Sequence, residues 1–167
     1  MARTTTNKTT ISEDTIEETV SNKKLDMDEK IVLRSIANWT VGFNKIESMG
    51  EVNINAHGTT RIPRAEVISQ YENGNKLIVG SGNGKHATIY IDDKPTRDYL
   101  EYQGELINKK LITQIFDIEG LNDFREKIND TVKTRAEKLL LISLIRECKF
   151  NDFNKIRECE IICGKNV

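Results

Sequence analysis

Residues 51–74, EVNINAHGTTRIPRAEVISQYENG, carry the clearest structural pattern in the chain. Near the start, Val52 and Ile54 alternate with polar neighbours, as in a strand with one buried face. A His-Gly pair then turns the chain, and Pro63 stands where a helix begins. The apolar residues that follow recur at helical spacing and end at an Asn-Gly pair: Ala65, Val67, Ile68 and Tyr71. The stretch therefore predicts a strand followed by a helix.

The sequence before this stretch continues the β pattern. Four apolar residues, Ile31, Val32, Leu33 and Ile36, predict one strand. Trp39, Val41 and Phe43 then alternate with polar or small residues and predict a second strand with period two. Together with the strand at residues 51–56, these runs predict a small mixed β-sheet.

The sequence after the helix predicts a hairpin and a second, shorter helix. Residues 77–79 and 87–91 are short β-like runs, and the glycine-rich residues 80–84 between them are typical of a hairpin loop. Asp93 is a suitable N-cap for the last helix, with Pro95 in its first turn. Residues 29–103 are thus predicted to form a small α+β module with one or two packed helices.

A polar N-terminal arm of different composition precedes this module. Residues 1–28 are rich in threonine and offer few apolar side chains to bury. A Ser12 N-cap followed by four acidic residues predicts a short helix with Ile16 and Val20 on one face. Such a segment buries too little apolar surface to fold alone, so we expect the arm to be ordered only in a complex.

Helical spacing dominates from Gly104 onward. Four helical segments follow one another, and the last is capped by Asn151 or Asp152 and closed by Gly164. The third is apolar on nearly every side between residues 139 and 145, which is typical of a helix at the centre of a bundle. Residues 104–167 are therefore predicted to form a C-terminal helical bundle, and the breadth of this apolar face leads us to expect a larger assembly.

The composition limits the class of protein. The 167 residues suffice for one ordinary domain or two very small ones. A net charge of −1 does not favour general nucleic-acid binding, which usually requires a positive excess. No apolar run is long enough to span a bilayer, so no membrane association is expected. Three cysteines near the C-terminus, an odd number, fit a reducing compartment.

The most motif-like segment is Gly80-Ser81-Gly82-Asn83-Gly84-Lys85. A phosphate-binding loop needs a glycine five residues before its Gly-Lys pair, a Ser or Thr after the lysine, and a helix beyond. Those places hold Val79, His86 and a β-like run. The glycines therefore indicate a tight hairpin turn. The alternative is a loop that contacts an anion through its amides and Lys85.

The other chemical groups are too few for a catalytic or metal site. His57 and His86 are the two histidines of the sequence, and each lies where a strand is predicted to meet a turn. Cys159 and Cys163 lie one helical turn apart, with Cys148 as the third thiol. Without a nearby histidine, these thiols favour buried apolar positions over a zinc site. We therefore predict no enzyme activity, no catalytic residue, no metal and no cofactor.

Four residues are candidates for an interface. Trp39 and Phe43 are the main aromatic pair of the chain, and they serve either in the core or as anchors for a partner. Arg61 and Arg64 lie at the start of the predicted helix, where a recognition helix would contact DNA. Glutamates on that helix and the overall charge favour instead a helix packed on the sheet with a solvated charged face. Nucleic acid is an alternative partner that is not favoured.

Five segments carry a likeness to a known group of proteins: VNI at 52–54, HG at 57–58, TRIPRAEV at 60–67, GNKL at 74–77 and HATIYI at 86–91. Together they resemble small proteins encoded in the structural-gene regions of tailed bacteriophages. The resemblance implies a virion or assembly component without an activity, with other virion proteins as partners in a homo- or hetero-oligomer. It also implies location in the virion and, during assembly, in the host cytoplasm. The alternative is a phage-encoded regulatory protein, such as a DNA-binding regulator or an inhibitor of a host defence protein.

Overall fold

The computed structural model describes residues 25–164 and has the predicted mixed α+β fold. The strands of this part are β1 (Lys30–Ser35), β2 (Val41–Asn44), β3 (Glu51–Ile54), β4 (Thr59–Pro63) and β5 (Ile89–Ile91). The helices are α1 (Arg64–Glu72), α2 (Lys76–Val79), α3 (Lys94–Tyr99), α4 (Lys109–Phe116), α5 (Leu121–Thr131), α6 (Arg135–Cys148) and α7 (Phe153–Cys163). The predictions for the arm up to residue 24, including its acidic helix, fall outside the described residues.

The larger sheet contains three antiparallel strands in the order β4–β1–β5. Residues directly opposite each other in antiparallel strands share a face of the sheet. Leu33 pairs with Ile91, and both are fully buried in an apolar core. Arg34 pairs with Thr59 on one side and Tyr90 on the other, and these three are exposed or half-buried. The sheet therefore has one apolar and one polar face.

Strands β2 and β3 form a separate antiparallel hairpin. Val41 pairs with Ile54, and Phe43 pairs with Val52. These four side chains are buried or half-buried and join the core of the larger sheet, while the alternate residues are exposed. The hairpin therefore closes one side of that core.

The caps of α1 and α3 follow local sequence signals. Helix α1 ends at Asn73, and Gly74 follows with a φ of +73°. Pro63 is the residue just before α1 and lies at the end of β4, one position earlier than predicted. Asp93 caps α3 as predicted, because its carboxylate accepts the N–H of Thr96 at 3.0 Å.

Helices α4 to α7 enclose a second apolar core, and α6 lies between the two cores. Ala136 is buried in the first core, Leu144 and Ile145 are buried in the second, and Leu140 contacts both. Only Leu139 and Leu140 remain half-buried in the apolar stretch of this helix. Contacts within the chain thus bury most of this apolar stretch. The apolar face of the helix is broad because the helix packs against both cores. The expectation of an assembly does not follow from this helix.

One predicted strand is wrong, and another begins later than predicted. Residues 77–79 form the short helix α2, because Asn75 caps its amides through a bond from the Leu77 N–H at 3.1 Å and Ile78 is fully buried. The glycine loop therefore joins a helix to β5 and contains one isolated bridge, Gly82 to Lys85, instead of linking a hairpin. Trp39 lies in a bend outside β2, whose pairing starts at Val41. The strand β4, in contrast, was not predicted.

Candidate functional site

The four candidate interface residues have different environments. Trp39 is 39% exposed in the bend before β2, and Phe43 is half-buried on the inner face of the hairpin. Arg61 is exposed on the polar face of the larger sheet. Arg64 is only 2% exposed at the start of α1. Of these four, Trp39 and Arg61 are exposed enough to contact a partner.

Arg64 holds together three segments inside the chain. Its guanidinium donates to Glu29 at 2.7 Å, to the hydroxyl of Thr96 at 2.9 Å and to Asp93 at 3.4 Å. A further bond reaches the carbonyl of Asp26. Burial acts to lower the pKa of Arg64, but the bonds and charges of Glu29 and Asp93 raise it overall. The helix start thus has a buried ion pair where a recognition helix would present an exposed arginine, so the prediction of a solvated charged face is wrong for Arg64.

A second buried charge on α1 fixes the loop between β2 and β3. The carboxylate of Glu66, 2% exposed, accepts the backbone N–H of Ile46 at 2.8 Å and that of Glu47 at 2.9 Å. Gln70 donates to the same carboxylate at 2.8 Å and to the carbonyl of Asn44 at 2.7 Å. The solvated-face prediction is wrong for Glu66 as well, because this loop covers it.

The pKa of Glu66 reflects these bonds. Burial would raise the pKa, but the hydrogen bonds from Gln70, Ile46 and Glu47 and the charge of Lys45 outweigh it and lower the pKa. A carboxylate that accepts several N–H bonds is stabilised in its ionised form. The loop is therefore held by a charged acceptor at its base.

The same loop exposes apolar side chains at its tip. Met49 is 99% exposed and Ile46 is 48% exposed. Gly50 has a φ of +113°, and its carbonyl accepts the N–H of Lys45 at 2.9 Å, which closes the turn. A loop with a fixed base and an apolar tip is suited to contact with another protein, because little ordering entropy remains to be lost on binding. We define Ile46 and Met49, with their closing turn, as the hairpin tip.

Sequence reasoning missed the hairpin tip. The signal for Met49 was present, since it lies between polar residues and glycine where a turn joins two strands. No signal marked Glu66, because a glutamate on a helix is ordinarily assigned to solvent. Its role appears only when the loop amides of residues 46 and 47 are brought to it.

The glycine loop uses its own amides. The N–H groups of Gly82 and Gly84 both donate to the carbonyl of Val79, at 3.1 and 2.9 Å, and those of Ser81 and Lys85 also bond within the loop. A Cβ atom at Gly84 would overlap the ring of Tyr102. The glycines therefore serve a tight turn and close packing, and four of the amides needed for an anion cradle are already occupied.

A cleft of about 730 Å³ lies between the glycine loop and helices α5 and α6. At its wall, Nδ1 of His86 lies 2.9 Å from Oε1 of Glu137, and both side chains are largely buried. The other oxygen of Glu137 accepts the N–H groups of Lys133 and Thr134, which completes the capping box of α6. The charged groups around the cleft are nearly balanced: Lys76, Lys85, Lys127 and Lys133 against Glu105, Asp130 and Glu137. The pair of His86 and Glu137 thus ties the module to the bundle.

The cysteines are not arranged as a metal site. Cys159 is fully buried in the second core, while Cys148 and Cys163 are half-buried, and all three are free thiols. Among residues 25–164, no group of three or more His, Cys, Asp or Glu side chains is placed to hold a metal ion. In the same part of the chain, no helix is long and apolar enough to cross a membrane.

Comparison with protein-family models, with curated proteins and with solved structures finds no match to this chain. The geometry of the described residues is therefore the basis for any functional argument. Exposed apolar side chains of these residues include those of the hairpin tip and Trp39, together with Tyr99, Phe153 and Ile161.

Proposed function

We propose that this protein is a non-enzymatic binding protein that serves as a structural or assembly component of a bacteriophage particle. The hairpin tip is its contact with a neighbouring virion protein. The observation that carries the proposal is the combination of a base fixed by Glu66 and a tip that exposes Met49 almost completely. The resemblance of residues 52–91 to proteins of phage structural-gene regions supports the virion as the setting.

The chemistry of the tip supports a protein partner. Moving Met and Ile side chains out of water is energetically favourable, and these uncharged side chains have little means of selecting a charged ligand. Thioether side chains adapt to irregular surfaces, which suits packing against a second protein. The rim is polar, with Glu47, Ser48 and Glu51 exposed around the tip. An apolar centre with a polar rim is the usual arrangement of a protein interface.

The test is incorporation into particles. Virions of the phage that encodes the chain are purified and analysed by mass spectrometry, and the free protein is mixed with virions and sedimented. We expect the chain in the particles at a fixed ratio to other virion proteins. A chain absent from particles that never sediments with them would overturn the proposal in favour of the regulatory alternative.

A pair of variants tests the role of the tip. Met49→Asp places a charge at the centre of the contact and is expected to weaken co-sedimentation by roughly tenfold or more. Ser48→Asp adds the same charge on the rim of the same loop and is expected to have a much smaller effect. Both positions are exposed, so circular dichroism melting curves should match the wild type. Equal losses in both variants would contradict the assignment of the tip.

A further inference from the structure

The N-terminal half of α6 carries a small pocket with an unusual lining. Its volume is about 190 Å³. Three apolar side chains contribute to it: Leu139, Ile142 and Cys163. Three cations complete it: Lys133, Arg135 and Lys138. Among residues 25–164, no acidic residue contributes to this lining, although the chain as a whole has a net charge of −1.

These cations are largely free of internal partners. Within residues 25–164, neither Arg135 nor Lys138 forms an ion pair, and Lys133 pairs with the exposed Asp130 at 3.3 Å. The guanidinium carbon of Arg135 lies 5.6 Å from the centre of the Trp39 ring. We define the pocket together with Trp39 as the α6 patch. An exposed tryptophan beside an unpaired arginine is a combination enriched at the energetic centres of interfaces.

The patch requires an occupant that is both acidic and apolar. Carboxylates would meet the three cations, and an aliphatic side chain would fill the apolar part of the pocket. Residues 12–20 of this chain, SEDTIEETV, contain four acidic residues and no basic one. Ile16 and Val20 are spaced four residues apart among these acids, so one helical turn would place them on one side. This segment therefore matches the patch in charge and in apolar content.

The direction of β1 argues for a segment from another copy. The chain enters beside the start of α1, where the carbonyls of Met27 and Glu29 accept the N–H groups of Ala65 and Arg64 at 3.0 and 2.9 Å. Strand β1 then runs from Lys30 towards the bend that holds Trp39. At about 3.3 Å per residue, the bend is on the order of 20 Å from the entry. To reach the bend, the arm of the same molecule would have to reverse direction and run almost fully extended between residue 20 and the entry, because that stretch spans at most about 25 Å; a neighbouring copy supplies the segment without this constraint.

We propose that residues 12–20 of one copy bind the α6 patch of a neighbouring copy. The acidic side chains then lie against Arg135 and Lys138, and Ile16 or Val20 enters the pocket beside Leu139 and Ile142. This exchange of arms would link copies into an oligomer. The inference does not depend on the hairpin tip, and it is tested on the purified full chain without any virion protein, so the two proposals can fail separately.

The test uses two variants of the full chain. Arg135→Glu/Lys138→Glu reverses the charge of the patch, and Glu17→Lys/Glu18→Lys reverses part of the charge of the arm. In sedimentation equilibrium, each variant alone is expected to self-associate at least about tenfold more weakly than the wild type. Carrying both reversals in one chain is expected to restore association, because the charges are again opposite. The control Lys94→Glu/Lys110→Glu changes two exposed lysines elsewhere and should leave association unchanged.

Trp39 gives an independent signal. It is the single tryptophan of the sequence and lies against Arg135, so its fluorescence should change with protein concentration as patches become occupied. Salt raised from about 50 mM to about 500 mM should weaken the change, because exposed charge pairs are screened. A wild type that is monomeric at every concentration, or charge reversals without effect on association, overturns the proposal. A concentration-independent interaction between arm and patch, detected by cross-linking of the monomer, overturns the exchange between copies.

Discussion

The carboxylate of Glu66 accepts the backbone N–H of Ile46 at 2.8 Å, although the two residues lie 20 positions apart in the sequence. A helix residue thereby fixes a loop whose tip is almost entirely exposed. Hydrogen bonds to a buried charge are stronger than neutral ones, and losing the acceptor leaves the loop amides without a partner. The hairpin tip therefore depends on α1 for its position.

Replacing this acceptor should loosen the loop and destabilise the protein. We expect Glu66→Gln to lower the free energy of unfolding by roughly 2–3 kcal/mol, because one charge-assisted acceptor is replaced by an amide. Urea unfolding measures the loss, and amide hydrogen exchange at Ile46 and Glu47 should accelerate. Glu72→Gln, on the exposed side of the same helix, is the control and should change stability by less than about 0.5 kcal/mol. Equal effects of the two substitutions would contradict the assigned role.

Acid should act through the same carboxylate. Burial acts to raise the pKa of both Glu66 and Asp93. Their hydrogen bonds, together with the charge of Arg64 beside Asp93, outweigh this effect, so both pKa values are lowered. A folded pKa below the unfolded one means that the unfolded chain binds more protons in the interval. The stabilisation is thus complete above the ordinary values of about 4.3 and 3.9 and is lost as the pH falls below them. Urea midpoints measured from about pH 7 to about pH 3 should fall once the pH is below about 4. The fall should be smaller in Glu66→Gln.

Two arginines three positions apart provide a matched comparison. Arg64→Ala removes the partner of Asp93 inside the chain and should cost roughly 3–5 kcal/mol, as for one partner of a buried ion pair. Arg61→Ala removes an exposed side chain and should change stability by less than about 0.5 kcal/mol. Urea unfolding of both variants measures the difference. A destabilisation by Arg61→Ala as large as that by Arg64→Ala would refute the structural assignment.

The sequence predicted best those structural features that depend on residues close together in the chain. The start and end of α1 and the cap of α3 depend on neighbours in sequence, such as Asp93 and Thr96, and these were predicted within a residue or two. Strand β4 has one fully buried residue, Ile62, and pairs with β1 about thirty positions earlier, so its own pattern is weak. Residues 77–79 are too few to show the periodicity of a helix or a strand, and the capping hydrogen bond to Asn75 favours a helix.

The candidate site was harder to predict than the fold. Of the four residues named from sequence, Arg64 is buried, because Glu29, Asp93 and Thr96 converge on it from two distant segments. The exposure of Trp39 follows from where the pairing of β2 begins, which the alternation of Trp39, Val41 and Phe43 did not reveal. Interfaces depend on which side chains the core leaves uncovered, and that is a property of the assembled chain.

Alanine substitution should be costly at Gly84 in the glycine loop and milder at Gly74, which lies outside the loop just after α1. Gly84 has a φ of +79°, and a Cβ atom there would overlap the Tyr102 ring. Gly84→Ala should therefore cost roughly 2–4 kcal/mol from backbone strain and overpacking together. Gly74 has a φ of +73° with open space around it, so Gly74→Ala should cost only about 1–2 kcal/mol. Thermal unfolding of both variants checks the difference, and Lys85→Ala should leave stability and particle binding nearly unchanged, since Lys85 is exposed.

The thiols offer a test of the choice between buried apolar cysteines and a zinc site. Cys159 is fully buried, and burial together with the nearby Cys163 raises its pKa to about 12. The thiolate is the reactive and metal-binding form, so Cys159 should be nearly inert at pH 8 in the folded protein. In a Cys148→Ser/Cys163→Ser variant, labelling of Cys159 by a disulfide reagent should occur only at the rate of unfolding and accelerate in urea. The single variant Cys159→Ser should leave the half-buried Cys148 and Cys163 to react in the native state. Rapid native labelling of Cys159 would contradict its burial, whereas a wild-type melting temperature lowered by a zinc chelator would favour the zinc site, because metal ligation links metal binding to folding.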